Sequence, residues 1–212
     1  MRAEQKTLDL TLNTAHLLAL LVAASFAAGL NVYATVVTLG LLAHAGVFPL
    51  PASLHLLENW WVIGISGALF LLEFFADKVP AFDLLWNAGQ TFVRVPVAAL
   101  IAWGATAQLS PADQALAAVL GAAIAFAAHS GKVAARAAVS PSPEPFSNMA
   151  LSVGEDVLAV GLTWFATQHP YIAAGVVFVL LLIIILLVRM VWRALRNLFR
   201  GAGRELHELE QH

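Results

Sequence analysis

Cysteine is absent from the 212 residues, which excludes disulfides, thiolate metal sites and a cysteine nucleophile and leaves the redox compartment unmarked. Charge is scarce. Asp, Glu, Lys and Arg make up 11% of the chain against about a quarter in ordinary soluble domains, while 60% of the residues are hydrophobic. Too little polar surface remains to wrap a soluble globule of this size, so the bilayer must act as solvent. The formal charge of −2 gives no basic surface for nucleic acid, because acids and bases alternate locally and only the C-terminus is strongly basic. A Walker loop, a Gly-x-Ser-x-Gly elbow and a dinucleotide fingerprint are all missing. His16, His44, His55, His129 and His169 lack metal-ligand spacing, and only His129, beside other polar residues, merits a test. Enzyme activity, a metal and a cofactor are therefore not expected.

What is present is a set of long apolar runs at about 15–42, 60–76, 92–108, 112–129, 149–167 and 171–195. Most reach the roughly 17–25 residues that a helix needs to cross the hydrocarbon. The runs are continuously apolar, where a barrel would need alternating segments of about ten residues. The expected fold class is all-α: one polytopic membrane domain over 1–212 with six transmembrane helices. The basic residues set its orientation. They fall in four groups, Arg2 with Lys6, Lys78 with Arg94, Lys132 with Arg136, and Arg189, Arg193, Arg196, Arg200 and Arg204. The polar gaps at 43–60, 105–114 and 167–172 carry none, so both termini are expected in the cytoplasm. A cleaved signal peptide ending near Ala23–Ala28 is the competing reading. The run from Ala15 to Ala45 is much longer than the usual h-region of about 7–15 residues, and cleavage would leave an odd number of spans.

The 28 residues of the first run, at about 1.5 Å each, give roughly 42 Å against a hydrocarbon core of about 30 Å. It either breaks at Gly29-Leu30-Asn31, as transporter helices do at binding sites, or tilts with Asn31 hydrogen-bonded to a neighbour. The fourth run is almost all small residues, including Ala117, Gly121, Ala125 and Ala128, and belongs at the centre of the bundle. The sixth is apolar on every side and belongs at its lipid-facing edge. Beyond it, the arginines at intervals of 4, 3, 4 and 4 form one stripe of an interfacial helix over about 189–204. Each would contribute about 1 kcal/mol of attraction to anionic headgroups.

Aligning the second and third spans with the fourth and fifth sets Lys78-Val79 on Lys132-Val133 and, after a seven-residue insertion, Asn87 on Asn148 and Trp103 on Trp164. That is a parallel repeat of two hairpins. A mostly alanine match of Ala23–Ala28 with Ala123–Ala128 gives an inverted repeat as its rival. In the parallel frame Asp83, Asn87, Gln90 and Arg94 form one polar stripe, and Asn148, Ser152 and Glu155 form the other. An unpaired charge at mid-membrane costs about 2.5–3.5 kcal/mol, so Arg94 and Glu155 are expected to pair. Glu73, Asp77, Lys78, Lys132, Arg136, Glu155 and Asp156 gather towards the cytoplasmic side. They form either a polar vestibule or interfacial ion pairs that snorkel to the headgroups, the second reading fitting Asp77, Lys78 and Lys132 better.

Gly29-Leu30-Asn31-Val32-Tyr33-Ala34-Thr35, Glu73-Phe74-Phe75-Ala76-Asp77-Lys78-Val79-Pro80, and Ser147-Asn148 followed by Glu155-Asp156 resemble the bacterial membrane family called domain of unknown function 4126. The similarity covers about 15–168 and implies a single membrane fold in a bacterial inner membrane, without implying an activity. Val32 stands where that family often has proline, so a sharp break is not required here. Glu73–Lys78 is also similar, with one residue more, to the Glu-x-Gly-Asp-Lys motif of a cation-transporter family. The expectation is a small transporter or lipid translocator for an anionic or phosphate-bearing substrate. Asn31, Glu73, Asp77, Lys78, Asn87, Arg94, Lys132, Asn148, Glu155 and Asp156 are its candidate site. The alternative is a non-transporting subunit of a membrane complex. The bilayer itself, its anionic headgroups and a second copy of the chain are the expected partners.

Overall fold

The structure is a computed structural model. It describes the backbone of residues 2–77, 80–139 and 145–209 and the side chains of 14–77, 86, 89–136, 149–194 and 196. Among these residues there is no strand. The helices are α1 (Arg2–Leu30), α2 (Val32–His44), α3 (Trp60–Ala76), α4 (Pro80–Ala105), α5 (Pro111–Val139), α6 (Pro145–Gln168) and α7 (Pro170–Leu209), with a 3-10 segment over Ala52–Glu58.

Local chemistry fixes most of these boundaries. Four helices open on proline, whose missing N–H would be unsatisfied in the first turn anyway. Ser110 accepts from the Asp113 N–H at 3.3 Å and its hydroxyl donates to the Asp113 carboxylate at 2.7 Å, closing the start of α5. Asn59 accepts from the Trp61 N–H at 2.8 Å and starts α3.

Three helical stretches, Pro111–Arg136, Met149–Gln168 and Pro170–Ala194, are long and apolar enough to cross a membrane. Ala52–Glu58 and Trp60–Ala76, bent by 60° at their junction, make a fourth if they act as one broken span. Thr14–Leu30 and Val32–His44 are shorter apolar helices on either side of a one-residue break. The first run is therefore broken, and the break needs no proline. Asn31 adopts an extended backbone (φ −150°, ψ 102°), and its side-chain oxygen accepts from the Ala34 N–H at 3.0 Å, capping α2.

α5 packs against α1, α4, α6 and α7, and its small residues make that position accessible. A Cβ on Gly29 of α1 would strike the backbone of Ala125, and one on Gly121 would come within 2.7 Å of Ala102 and 2.9 Å of Ser25. Phe26, Ala27, Leu30, Ala128, Ala159, Leu162 and Val177 form the main apolar core between α1, α5, α6 and α7. α7 leaves Phe178, Val179, Leu182, Ile183 and Leu186 exposed, the outer position its all-round apolarity requires.

Several helices outrun the apolar runs. α4 begins at Pro80, where the apolar run begins at about 92, and α5 continues to Val139, past the end of the run at about 129. Hydropathy falls at Lys132 and Arg136, but there the backbone stays helical because both cations are buried against carboxylates of α3 and α6.

Candidate functional site

Four helices and the α1–α2 break bring polar groups to one region in the half of the bundle where α3 meets α4 and α5 meets α6. Glu73 and Asp77 end α3; Gln90, Thr91 and Arg94 lie on α4; His129, Lys132 and Arg136 lie near the end of α5; and Ser152, Glu155 and Asp156 lie on α6. Spacings of three and four on each helix put these residues on a common inward face. Arg94 and Glu73 are 0% exposed, Lys132 is 3% and Asp156 is 6%. Such burial is rare for charged side chains unless they are paired.

Arg94 is the deepest node. One guanidinium nitrogen donates to Glu73 Oε1; the other donates to His129 Nδ1 at 3.0 Å and to the Gly29 carbonyl at 3.3 Å. The break explains the last contact, because carbonyls in the final turn of α1 lose their helical donors and must find others. Arginine cannot accept a hydrogen bond, so Nδ1 of His129 holds a lone pair and the ring proton sits on Nε2. That nitrogen is 2.8 Å from Thr91 Oγ1.

Lys132 joins the two halves of the cluster. Its Nζ donates to Glu73 Oε1 at 3.3 Å and to Asp77 Oδ2 at 3.2 Å, and lies 3.2 Å from Glu155 Oε2. Arg136 donates to Asp77 Oδ2 at 2.7 Å and to Glu155 Oε2 at 2.9 Å, while Ser152 donates to Asp77 Oδ2 at 3.4 Å. Asp156 stands apart: Asn31 Nδ2 donates to its Oδ1 at 2.8 Å, and among the described residues it makes no ion pair.

Asn31, Glu73, Asp77, Arg94, Lys132, Glu155 and Asp156 thus converge as the sequence suggests. Two expectations change. Arg94 and Glu155 do not pair directly; Arg94 turns to Glu73 and Glu155 to Lys132 and Arg136, so the two are linked through Glu73 and Lys132. Asp77 and Lys132 are ion-paired but buried, not snorkelled, because α3 and α5 face each other's charges at that level. Lys78 lies outside the described residues, and Asn87 and Asn148 lie on helices whose side chains there are outside them. Sequence reasoning missed Thr91 and Tyr33, whose hydroxyl accepts from Gln90 Nε2 at 3.2 Å. Thr91, three residues before Arg94 on one helical face, carried a readable signal; Tyr33, inside an apolar run, carried little.

No group of metal-ligating side chains that could hold an ion occurs among the described residues. Fold and site together define an all-helical protein with membrane-length apolar helices around a buried ion cluster. The chain belongs to the family described as Domain of unknown function (DUF4126), which matches residues 18–190 and so includes the break, the whole cluster and much of α7. No curated protein and no solved structure matches it.

Proposed function

We propose that the chain is a small transporter or lipid translocator of a bacterial inner membrane, with the buried ion cluster as its polar site. The observation that carries this reading is the burial of Glu73, Asp77, Arg94, Lys132, Arg136, Glu155 and Asp156 beside a broken helix. Glu155 alone of these is partly exposed. Charges at membrane depth are costly, and in helical membrane proteins they usually mark an ion or substrate path. Buried ion pairs add little net stability over an apolar core, so a scaffold alone has small reason to keep so many. Interrupted helices in transporters place unpaired backbone groups at the site, and the Gly29 carbonyl on Arg94 fits that pattern.

In this reading the chain crosses six times with both termini inside. α1 and α2 together form the first crossing, and α3–α4 and α5–α6 form the two hairpins of a parallel repeat. The connections after α2, α4 and α6 carry no Lys or Arg, which places them outside. Arg94, Lys132 and Arg136 would take an anionic or phosphate-bearing group by exchanging it for the carboxylates they now hold, with Asn31 orienting the ligand. Exposed Arg189, Arg193 and Arg196 on α7 would rest among anionic headgroups, and the small bundle favours a homodimer.

The pairing of Arg94, Lys132 and Arg136 with carboxylates also supports the second reading, a non-transporting subunit whose ion pairs hold its helices together. Proteoliposomes separate the two. Uptake of radiolabelled phosphate and dithionite quenching of a fluorescent anionic phospholipid would be measured for the wild type, Arg94→Ala and Glu155→Gln. Flux of either probe that is lost in variants with intact folding supports transport. Wild-type vesicles inert to both probes, with variants impaired only in assembly, support the subunit.

A further inference from the structure

We infer that Asp156 is a proton-binding site, and that the break between α1 and α2 reads its occupancy through Asn31. The inference rests on the membrane-transport reading for its biological use, but its geometry stands separately. Among the described carboxylates of the cluster, Glu73, Asp77 and Glu155 each meet at least one cation. Asp156 meets none. Its Oδ1 accepts from a neutral amide, and its Oδ2 is buried with no partner. The charged groups facing it are Lys132 on α5, beyond ion-pair reach, and the carboxylates Glu73 and Asp77 on α3. α7 contributes apolar Val177, Leu180, Leu181 and Ile184 to the core it shares with α1, α5 and α6, and at the α1–α2 break Asn31 reaches Asp156.

A buried carboxylate held by a single neutral donor lacks the compensation that its ionised form needs. A proton on the partnerless Oδ2 supplies it without moving any other side chain. That proton also changes the contact on the other oxygen, because a hydrogen bond to a charged acceptor is roughly twice as strong as one to a neutral acceptor. The amide that feels the change belongs to Asn31, whose own oxygen holds the first turn of α2 at Ala34. Asn31 therefore connects the charge on Asp156 to the one place where the first membrane run is not helical. Its position is also adjacent to the Gly29 carbonyl that Arg94 holds.

The test uses the full chain in lipid nanodiscs. Infrared difference spectra between about pH 8 and about pH 5, a range that brackets carboxyl titration in proteins, should contain a protonated-carboxyl band. That band should vanish in Asp156→Asn, shift in frequency in Asp156→Glu and persist in Glu155→Gln. In parallel, amide exchange over Val32–Thr35 at about pH 8 should be about fivefold faster in Asp156→Asn than in the wild type, since the variant mimics the neutral acid and weakens one charge-assisted bond. A band that survives Asp156→Asn, the absence of any band in the wild type, or unchanged exchange in Asp156→Asn each overturns the inference. Should Asp156→Asn not fold, the Asp156→Glu frequency shift decides the matter alone: an unmoved band overturns the assignment. None of these readouts requires flux, so an inert protein in the proteoliposome assay leaves them interpretable, and their failure leaves transport by other residues standing.

Discussion

Arg94 illustrates how a single buried charge is made tolerable. Its guanidinium serves a carboxylate, an imidazole nitrogen and a backbone carbonyl at once, a division that a lysine ammonium, lacking the planar fork, would not reproduce. Removing it strands Glu73, whose remaining cation is Lys132. Breaking a buried pair by deleting one partner costs about 3–5 kcal/mol, whereas replacing both by apolar groups can be close to neutral. Arg94→Met is therefore expected to lower the thermal midpoint of the detergent-solubilised protein strongly. The double variant Arg94→Met with Glu73→Met should recover much of that loss, a coupling of about 1–3 kcal/mol. Strict additivity of the two single effects would show that the pair is not energetically joined. Glu73 and Arg94 were both visible in the sequence as intramembrane charges. Their pairing was not, because an internal alignment ranks positions by register within two hairpins, while the actual partner is set by which helix faces which.

At the scale of the helix, the break at Asn31 was legible as one of two options from Gly29-Leu30-Asn31, and a capping argument decides between them. An asparagine followed by an apolar run is a ready start for a helix, and here it both caps α2 and reaches Asp156. Asn31→Ser retains an oxygen for the Ala34 N–H but loses the donor to Asp156, whereas Asn31→Ala loses both. Cap loss costs about 0.5–2 kcal/mol, and an abandoned buried acceptor adds about 1–3 kcal/mol. The melting temperatures should therefore rank wild type above Asn31→Ser above Asn31→Ala; equal values for the two variants would mean that the cap contributes nothing. Helix ends were less legible than helix centres. The apolar runs located α3 and most of α6, but they missed the first turns of α4 and the last turns of α5, where Gln90, Lys132 and Arg136 sit on helical backbone. Hydropathy measures what the side chains would face if each stood alone, and these residues face polar partners on neighbouring helices.

For the whole molecule, the distribution of charge and the distribution of structure agree on a two-sided arrangement. The cluster occupies the half of the bundle bounded by the α3–α4 and α5–α6 connections, and the opposite connections lack Lys and Arg. The proposed six crossings would set these two ends on opposite sides of a membrane. The absence of cysteine makes this directly measurable, since each introduced thiol is the only one in the chain. Val47, Gln108 and His169 are exposed in the three connections expected outside, and Arg196 is exposed on the last turns expected inside. In intact cells, a membrane-impermeant maleimide should label Val47→Cys, Gln108→Cys and His169→Cys, and should label Arg196→Cys only after permeabilisation. Labelling of Arg196→Cys together with His169→Cys in intact cells would remove the crossing by α7, the most apolar span, and the six-span topology with it. Protection of Val47→Cys alone would have a narrower meaning. It would turn α1 and α2 into a re-entrant pair and place the break at Asn31 at the tip of a loop, so the positive-inside assignment of the remaining helices would have to run from Lys132 and Arg136 instead of from the N-terminus.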